Sequence, residues 1–435
     1  MDPKLPEAFV SRMERQLGNE LPAFLHALEG LPVRGIRLNT LKETDAVQNY
    51  KSSSRIPWAS EAYELPADSD AGNTIMHEAG AFYLQEPGAM LPAAVLDAKP
   101  GEKVLDVCAA PGGKSTQIGI AMRGKGLLVC NEPVPKRAKI LSSNIERIGL
   151  PNTILTCAWP EQLANLWPEG FDAVMVDAPC SGEGMFRRVP ESRQEWNEDQ
   201  ARGCAQRQRQ ILKEAIKLVR PGGRLVYSTC TYNPDENDRI ADWLLLEYPD
   251  FESEAFSLPG IDAPNGRYTC YPHRLRTEGQ FAARFRRNGS GTAMMQEGRS
   301  LPKPGREELT ALATAFPTFP AATHRFGNTL VHLDQCPDLH GIRVLRAGVH
   351  LGEIRGKTAV PSHAAAMSIN PPVMPSLELD TEKACRYMAG ETIEANKNGW
   401  LLIRYKGLVL GWGKGSGGII RNHYPKRLRK SRLIP

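Results

Sequence analysis

The sequence predicts an α/β fold: a doubly wound parallel sheet, preceded by a small α+β module and followed by a smaller, β-rich unit. Three observations predict it. From about residue 76, short apolar runs alternate with amphipathic helical stretches, the pattern of a parallel sheet covered on both faces. Several of those runs end in small, acidic or thiol-bearing residues, as strands do where they feed a ligand-binding edge. Composition then changes over residues 288–305, where Asn288, Gly289, Ser290, Pro302 and Pro304 read as a linker. The domain boundaries expected are therefore 1–75, 76–290 and 305–435.

The elements follow in order. Phe9, Val10, Met13, Leu17, Leu21, Phe24, Leu25 and Leu28 recur at helical spacing over 8–28, with Pro22 as a break. Arg34–Asn39 reads as a short strand, and a polar stretch continues to about residue 75. Leu84–Leu96 reads as a helix with Pro87 in its first turn. Strands are predicted at Lys103–Val107, Gly126–Asn131, Thr153–Cys157, Phe171–Asp177 and Arg224–Thr229. Helices fall between them at Ser115–Met122, Lys136–Ile148 (closed by Gly149) and Gln206–Val219 (closed by Pro221-Gly222-Gly223). A further helix covers about 235–247, and Gln280–Arg286 reads as a terminal strand. Beyond the linker, Ile342–Leu345 and Trp400–Tyr405 are strand-like pieces of the C-terminal unit.

Composition is that of a globular protein, 41% hydrophobic and 24% charged, which excludes disordered and fibrous classes. No run approaches the roughly 18 apolar residues that a membrane helix requires. Met1–Pro6 has no apolar signal core, so a cytoplasmic protein with no membrane partner is expected. Nine cysteines without a CxxC pair point to free thiols and to no metal site. Two basic clusters fit phosphate binding: Lys426, Arg427, Arg429, Lys430 and Arg432 in the tail, and Arg274, Arg276, Arg284, Arg286 and Arg287.

Three strand ends carry chemistry. Cys108-Ala109-Ala110-Pro111-Gly112-Gly113-Lys114 follows a strand and opens a helix. Its small residues let backbone approach a ligand, and the helix N-terminus favours anionic groups. The loop is not GxGxxG, which weakens a dinucleotide reading. Glu132 ends the next strand, where an acid meets ribose hydroxyls, so an adenosine-containing cofactor across these two strand ends is expected. Asp177 closes an apolar strand, where a carboxylate is costly unless paired or used. Pro179 then fixes the backbone before Cys180, and Cys230 follows Ser228 and Thr229 at the fifth strand. Either thiol alone reads as a small buried hydrophobe. Two at neighbouring strand tips beside an Asp read as covalent chemistry.

On these motifs (Asp106–Lys114, Glu132, Asp177–Gly184 and Ser228–Thr231) the chain resembles the Sun/Fmu-type RNA (cytosine-5) methyltransferases. Gly184-Met185-Phe186-Arg187 and the added C-terminal unit are similar to the bacterial RsmF type, which acts on 16S ribosomal RNA. The resemblance implies a class I (Rossmann-like) methyltransferase sheet using S-adenosylmethionine. It also implies an RNA-binding N-terminal module and, from Gly413-Lys414-Gly415 and Tyr424-Pro425-Lys426, a PUA-like C-terminal RNA-binding region. Carried over residue by residue, Cys108, Ala109, Ala110, Pro111, Gly112, Gly113, Lys114, Glu132 and Arg137 would hold the cofactor, with Asp177 at its edge. Cys230 would be the nucleophile, Asp177 would bind the cytosine, and Cys180 would assist its release. The partner implied is RNA, 16S rRNA or the small ribosomal subunit, with the protein a monomer. At the third strand end, Thr156-Cys157-Ala158-Trp159-Pro160 leaves two ways to meet an adenine: Trp159 packing on it, or a backbone amide.

Rival readings are a methyltransferase acting on tRNA or another RNA, a DNA cytosine-5 methyltransferase with Cys180 attacking, a noncatalytic ribosome assembly factor, and a dithiol redox protein. Ser228-Thr229-Cys230-Thr231 argues against the second, and intact Asp177, Cys180, Cys230 and Lys114 against the third. Glu132 and the small-residue loop argue against the last. Deletion from about residue 305 is expected to weaken RNA binding and preserve cofactor binding.

Overall fold

In the computed structural model, which describes residues 3–42, 44–298, 300–356 and 358–434, five parallel strands form the centre of the molecule. They are β4 (Lys103–Asp106), β5 (Leu127–Asn131), β6 (Thr153–Thr156), β7 (Phe171–Asp177) and β8 (Val219–Thr229). The numbering leaves β1 (Arg34–Leu38), β2 (Ala62–Leu65) and β3 (Phe82–Leu84) to a separate three-stranded antiparallel sheet. The central order is β8-β7-β4-β5-β6, so the winding reverses between β4 and β7. In such sheets the crevice opens beyond the carboxyl ends of the strands at that reversal. The Asp106, Asp177 and Thr229 ends lie there.

Apolar runs give these strands because both faces are covered. Alternate residues go to opposite cores: Val104, Leu128, Met175 and Val226 to one, Leu105, Val129, Val174, Val176 and Leu225 to the other. The strand Gln280–Arg287 adds antiparallel to β8, then Arg267–Cys270 beyond it.

Several elements depart from expectation. The first helical stretch is two helices, α1 (Glu7–Leu17) and α2 (Leu21–Glu29). The break falls at Gly18, which adopts φ 52°, while Pro22 sits in the first turn of α2, where its missing N–H costs nothing. The stretch read as a helix over 84–96 begins as strand β3, and its α-helix covers only Leu91–Leu96. The long helix starts earlier than its apolar pattern, at Glu198, capped by the Asn197 side chain.

The C-terminal stretch forms two sheets rather than one. Four of the five strands within His324–Pro361 form one sheet, and the five within Ser376–Asn422 form the other. The piece read as Ile342–Leu345 is the strand Val344–Ala347, and it leaves its neighbours to pair antiparallel with β6. An open parallel edge at β6 would present unpaired backbone groups, and this strand covers them. Leu333, Cys336 and Leu339 pack onto the same face of the central sheet. In turn, Leu379, Tyr387, Leu401, Ile403 and Leu410 share one core with Ile36, Leu38 and Phe82 of the N-terminal sheet.

This changes what truncation should do. A chain cut before residue 305 loses cover worth about 4 kcal/mol from the two leucines alone, roughly 10 °C in melting temperature. We expect calorimetry to record that loss; an unchanged melting temperature would refute it.

The cluster Arg274, Arg276, Arg284, Arg286 and Arg287 is paired within the protein, with Arg274 and Arg276 still exposed. Each arginine has a carboxylate partner: Glu20, Glu64, Glu254 (shared by Arg284 and Arg286), and Glu169 with Asp250. The acids lie on other elements, so a linear reading of charge could not see them. The basic tail also packs back, Lys430 on Glu78 at 2.7 Å and Arg427 near Glu146.

Candidate active site

The loop after β4 is built for close approach. Gly112 adopts φ 114°, and a Cβ there would also meet Leu141 at 3.1 Å. Gly113 then opens the helix Gly113–Ala121. Asp106, fully buried at the end of β4, accepts from Ser115 Oγ at 2.6 Å through one oxygen, and its other oxygen has no partner. Burial raises its pKa to about 7, the Ser115 bond opposing and the nearby Asp177 charge adding. The Cys108 thiol is raised by burial and then by the same carboxylates, so it stays neutral.

Glu132 follows β5 and is buried. One oxygen accepts from the Val134 N–H at 3.0 Å. The other lies 3.1 Å from Arg137 but out of line for a hydrogen bond, so it keeps an unused acceptor. Arg137 also donates to the Ala110 carbonyl at 2.9 Å, tying the β4 loop to the helix Pro135–Ile148. An unsatisfied buried carboxylate beside a small-residue cradle fits a ligand with vicinal hydroxyls. At the third strand end, the backbone N–H groups of Cys157, Ala158 and Trp159 are all engaged, by Arg343, Asn131 and Gln162. Trp159 is 63% exposed.

The second group of residues gathers at β7 and β8. Lys114, grouped above with the β4 loop, reaches across the switch point and places Nζ 2.8 Å from Asp177 Oδ2. Burial works against its charge, but Asp177 foremost, with Cys230 and Asp106, outweighs it, and the Lys114 pKa lies above the usual lysine value. Asp177 Oδ1 accepts from Ser228 Oγ at 2.8 Å, and Ser228 is held by Gln280 at 2.6 Å. The two thiols meet: Cys180 Sγ and Cys230 Sγ are 3.3 Å apart, and the Cys230 N–H donates to the Cys180 sulfur. The hydrogen bond with Cys230, together with burial, raises the Cys180 thiol well above its ordinary pKa.

The two cysteine loops are stitched to each other. Glu236 accepts from the Ser181 N–H and hydroxyl and from Gln208. Ser181 Oγ also lies 3.0 Å from Thr231 Oγ1. The Gly184 N–H donates to the Cys230 carbonyl, and a Cβ on Gly184 would meet that oxygen at 2.9 Å. Sequence reasoning missed Glu236, Gln280 and the Lys114–Asp177 pair. Gln280 had a signal, a polar residue opening an apolar strand. Glu236 had none, because its partners lie far off in sequence.

A Rossmann-like sheet whose switch point carries a small-residue loop and a buried acid on one side, and an acid, a lysine and two thiols on the other, has the architecture of the class I methyltransferases. The model of 16S rRNA methyltransferase RsmB/F matches residues 93–286. Models of the RsmF N-terminal domain, first C-terminal domain and PUA domain match 5–87, 308–369 and 374–430. The chain belongs to this family. It is 32% identical to ribosomal RNA small subunit methyltransferase F of Klebsiella pneumoniae (strain 342), covering 97% of this chain and 96% of that one. The protein of the same name from Salmonella heidelberg (strain SL476) is 33% identical over the same shares. Among solved structures, a methyltransferase homologue from Pyrococcus horikoshii superposes with TM-score 0.57 at 30% identity, covering 65% of this chain and 95% of that chain. NSun6 from the same organism, solved with SFG, shares the fold at TM-score 0.58 and 21% identity, covering 66% of this chain and 99% of that one. No helix among the described residues is long and apolar enough to cross a membrane.

Proposed function

We propose that this chain methylates carbon 5 of cytosine in 16S ribosomal RNA through a covalent cysteine adduct, with S-adenosylmethionine as methyl donor. The observation that carries this reading is the pair of thiols 3.3 Å apart beside the Lys114–Asp177 ion pair. When bound, S-adenosylmethionine supplies an electrophilic methyl group. Glu132 binds its ribose hydroxyls with the acceptor left unused, and the Cys108–Gly113 backbone cradles the rest. With the neighbouring amides engaged, the indole of the exposed Trp159 is the group free to stack on the adenine.

Cytosine carbon 5 is a weak nucleophile. Attack of Cys230 sulfur on carbon 6 forms a C–S bond and pushes the ring's electron pair toward carbon 5. Asp177 accepts from the exocyclic amine of the cytosine and, once ring nitrogen 3 is protonated during addition, from that N–H, while Lys114 fixes the carboxylate's orientation. Cys230 is assigned the attack because it stands in Ser228-Thr229-Cys230-Thr231 at the end of β8, the motif that weighs against a DNA-type assignment with Cys180 attacking. Once the Cys230 sulfur is locked in a neutral thioether, its share of the load that raised Cys180 is gone. Carbon 5 takes the methyl carbon as that carbon's bond to the donor's sulfur breaks. Cys180, as thiolate, then removes the proton from carbon 5. The electron pair of that C–H bond restores the double bond between carbons 5 and 6, and the C–S bond breaks with its pair leaving on the Cys230 sulfur. The proton passes from Cys180 to solvent.

Incubation with 16S rRNA and isotope-labelled methyl donor, followed by nucleoside analysis, should yield labelled 5-methylcytidine. Label on another atom or base, or on transfer RNA alone, would overturn the proposal.

A further inference from the structure

We propose that Arg12 of helix α1 is a positioning residue for this chemistry, acting through Glu183 to hold the Cys180 and Cys230 loops at their mutual distance. The inference rests on the roles given to the two thiols above.

Glu183 lies three residues after Cys180 and its side chain is completely buried, while Arg12 is 16% exposed. Four donors from separate parts of the chain converge on that carboxylate. Arg12 contributes two, at 2.8 and 2.7 Å; Trp196 Nε1 donates at 3.1 Å; and the backbone N–H of Tyr232 donates at 3.2 Å. Tyr232 is two residues after Cys230. One carboxylate therefore spans both cysteine loops, and the N-terminal helix supplies the opposite charge. The bidentate fork fixes direction as well as distance.

A second contact from the same helix reaches the same place. Gln16, one turn beyond Arg12, donates to the Tyr232 carbonyl at 3.1 Å and to the Tyr271 hydroxyl at 2.8 Å. Phe9, Met13 and Phe24 pack with Phe186, Trp196 and Tyr232 in one core. The guanidinium also lies over the Phe9 and Trp196 rings, at 5.4 and 5.8 Å. A buried ion pair is weak evidence of net stability, since well-packed apolar side chains often serve as well. What the pair supplies that apolar packing cannot is a fixed hydrogen-bond geometry between two loops whose sulfurs must sit within reach of one base. Helix α1, part of the module expected to bind RNA, is on this account also part of the support of the thiol pair.

The test uses the full chain, 16S rRNA and S-adenosylmethionine, with Arg12→Met, Arg12→Lys and the double variant Arg12→Met/Glu183→Gln. Melting temperature, RNA affinity, S-adenosylhomocysteine affinity and single-turnover methyl transfer are measured for each. Arg12→Met should slow methyl transfer about 30- to 100-fold, the scale of a misplacement near 1 Å. Both affinities should stay within about threefold, and Arg12→Lys should recover part of the rate. The double variant removes the unpaired carboxylate, so it should regain the melting temperature and remain slow. Recovery of both would mean that Arg12 only stabilises the fold. Loss of RNA affinity at an unchanged rate would make it an RNA contact; either result overturns the proposal. The same substitutions in a Cys180→Ala background separate the two claims. If the parent traps no adduct, the thiol roles fail; if it does and Arg12→Met traps it as fast, only the Arg12 role fails.

Discussion

Replacing Cys180 by Ala should leave the protein fused to its RNA, as a band that survives denaturing gel electrophoresis and disappears with ribonuclease. Replacing Cys230 by Ala should give neither band nor methylation. The two substitutions remove the same atom from sites 3.3 Å apart, so packing effects nearly cancel and the difference reports chemistry. Without Cys230 no sulfur reaches carbon 6, and the loss of covalent catalysis should exceed about 10⁴-fold, in line with removal of an essential nucleophile. Without Cys180 addition still occurs, because the attacking sulfur is intact. Release then lacks its base, so turnover stops after one event. An adduct formed by Cys230→Ala and not by Cys180→Ala would reverse the assignment.

The second large effect is expected at Asp177. Asp177→Asn keeps the shape and can still meet Ser228, but it removes the negative charge from Lys114, whose side chain is only 11% exposed. The cytosine also loses the acceptor that balances charge at its ring nitrogen. Removing one such preorganised group should lower the single-turnover rate about 10²- to 10³-fold. Lys114 should shed its proton more readily, because Asp177 is the largest of the groups that raise its pKa against burial. Rate measurement across pH checks both: the variant should be slow throughout, with a profile displaced from that of the parent. A rate within about threefold of the parent would remove Asp177 from the reaction.

The strand ends were legible because parallel strands buried on both faces read as apolar runs, and the residue that interrupts each run stands out. Asp177 after Val174-Met175-Val176 is such an interruption, and so is the small-residue loop after Val107. What pairs with what was less legible. Lys114 belongs in sequence to the β4 loop and in space to Asp177, because the first turn of its helix faces the switch point. The five arginines from 274 to 287 looked free because their acids, Glu20, Glu64, Glu169, Asp250 and Glu254, come from other elements. Phe82-Tyr83-Leu84 ran into a helical pattern, yet pairs with β1 because that sheet needed a second edge. The same logic hid Arg12: a charged residue on an amphipathic helix reads as solvated until the buried acid opposite it is known.

The strand Val344–Ala347 also sets an order on how the molecule can be made. Every other strand of the central sheet is complete in the chain by residue 287. The partner of β6 emerges roughly 190 residues after β6 itself, about 10 to 40 s later at usual rates of synthesis. Throughout that interval β6 is a bare sheet edge, a template for pairing with other chains. The finished protein hides a hazard that the growing chain must carry, so a stalled or prematurely terminated product should aggregate where the full chain does not.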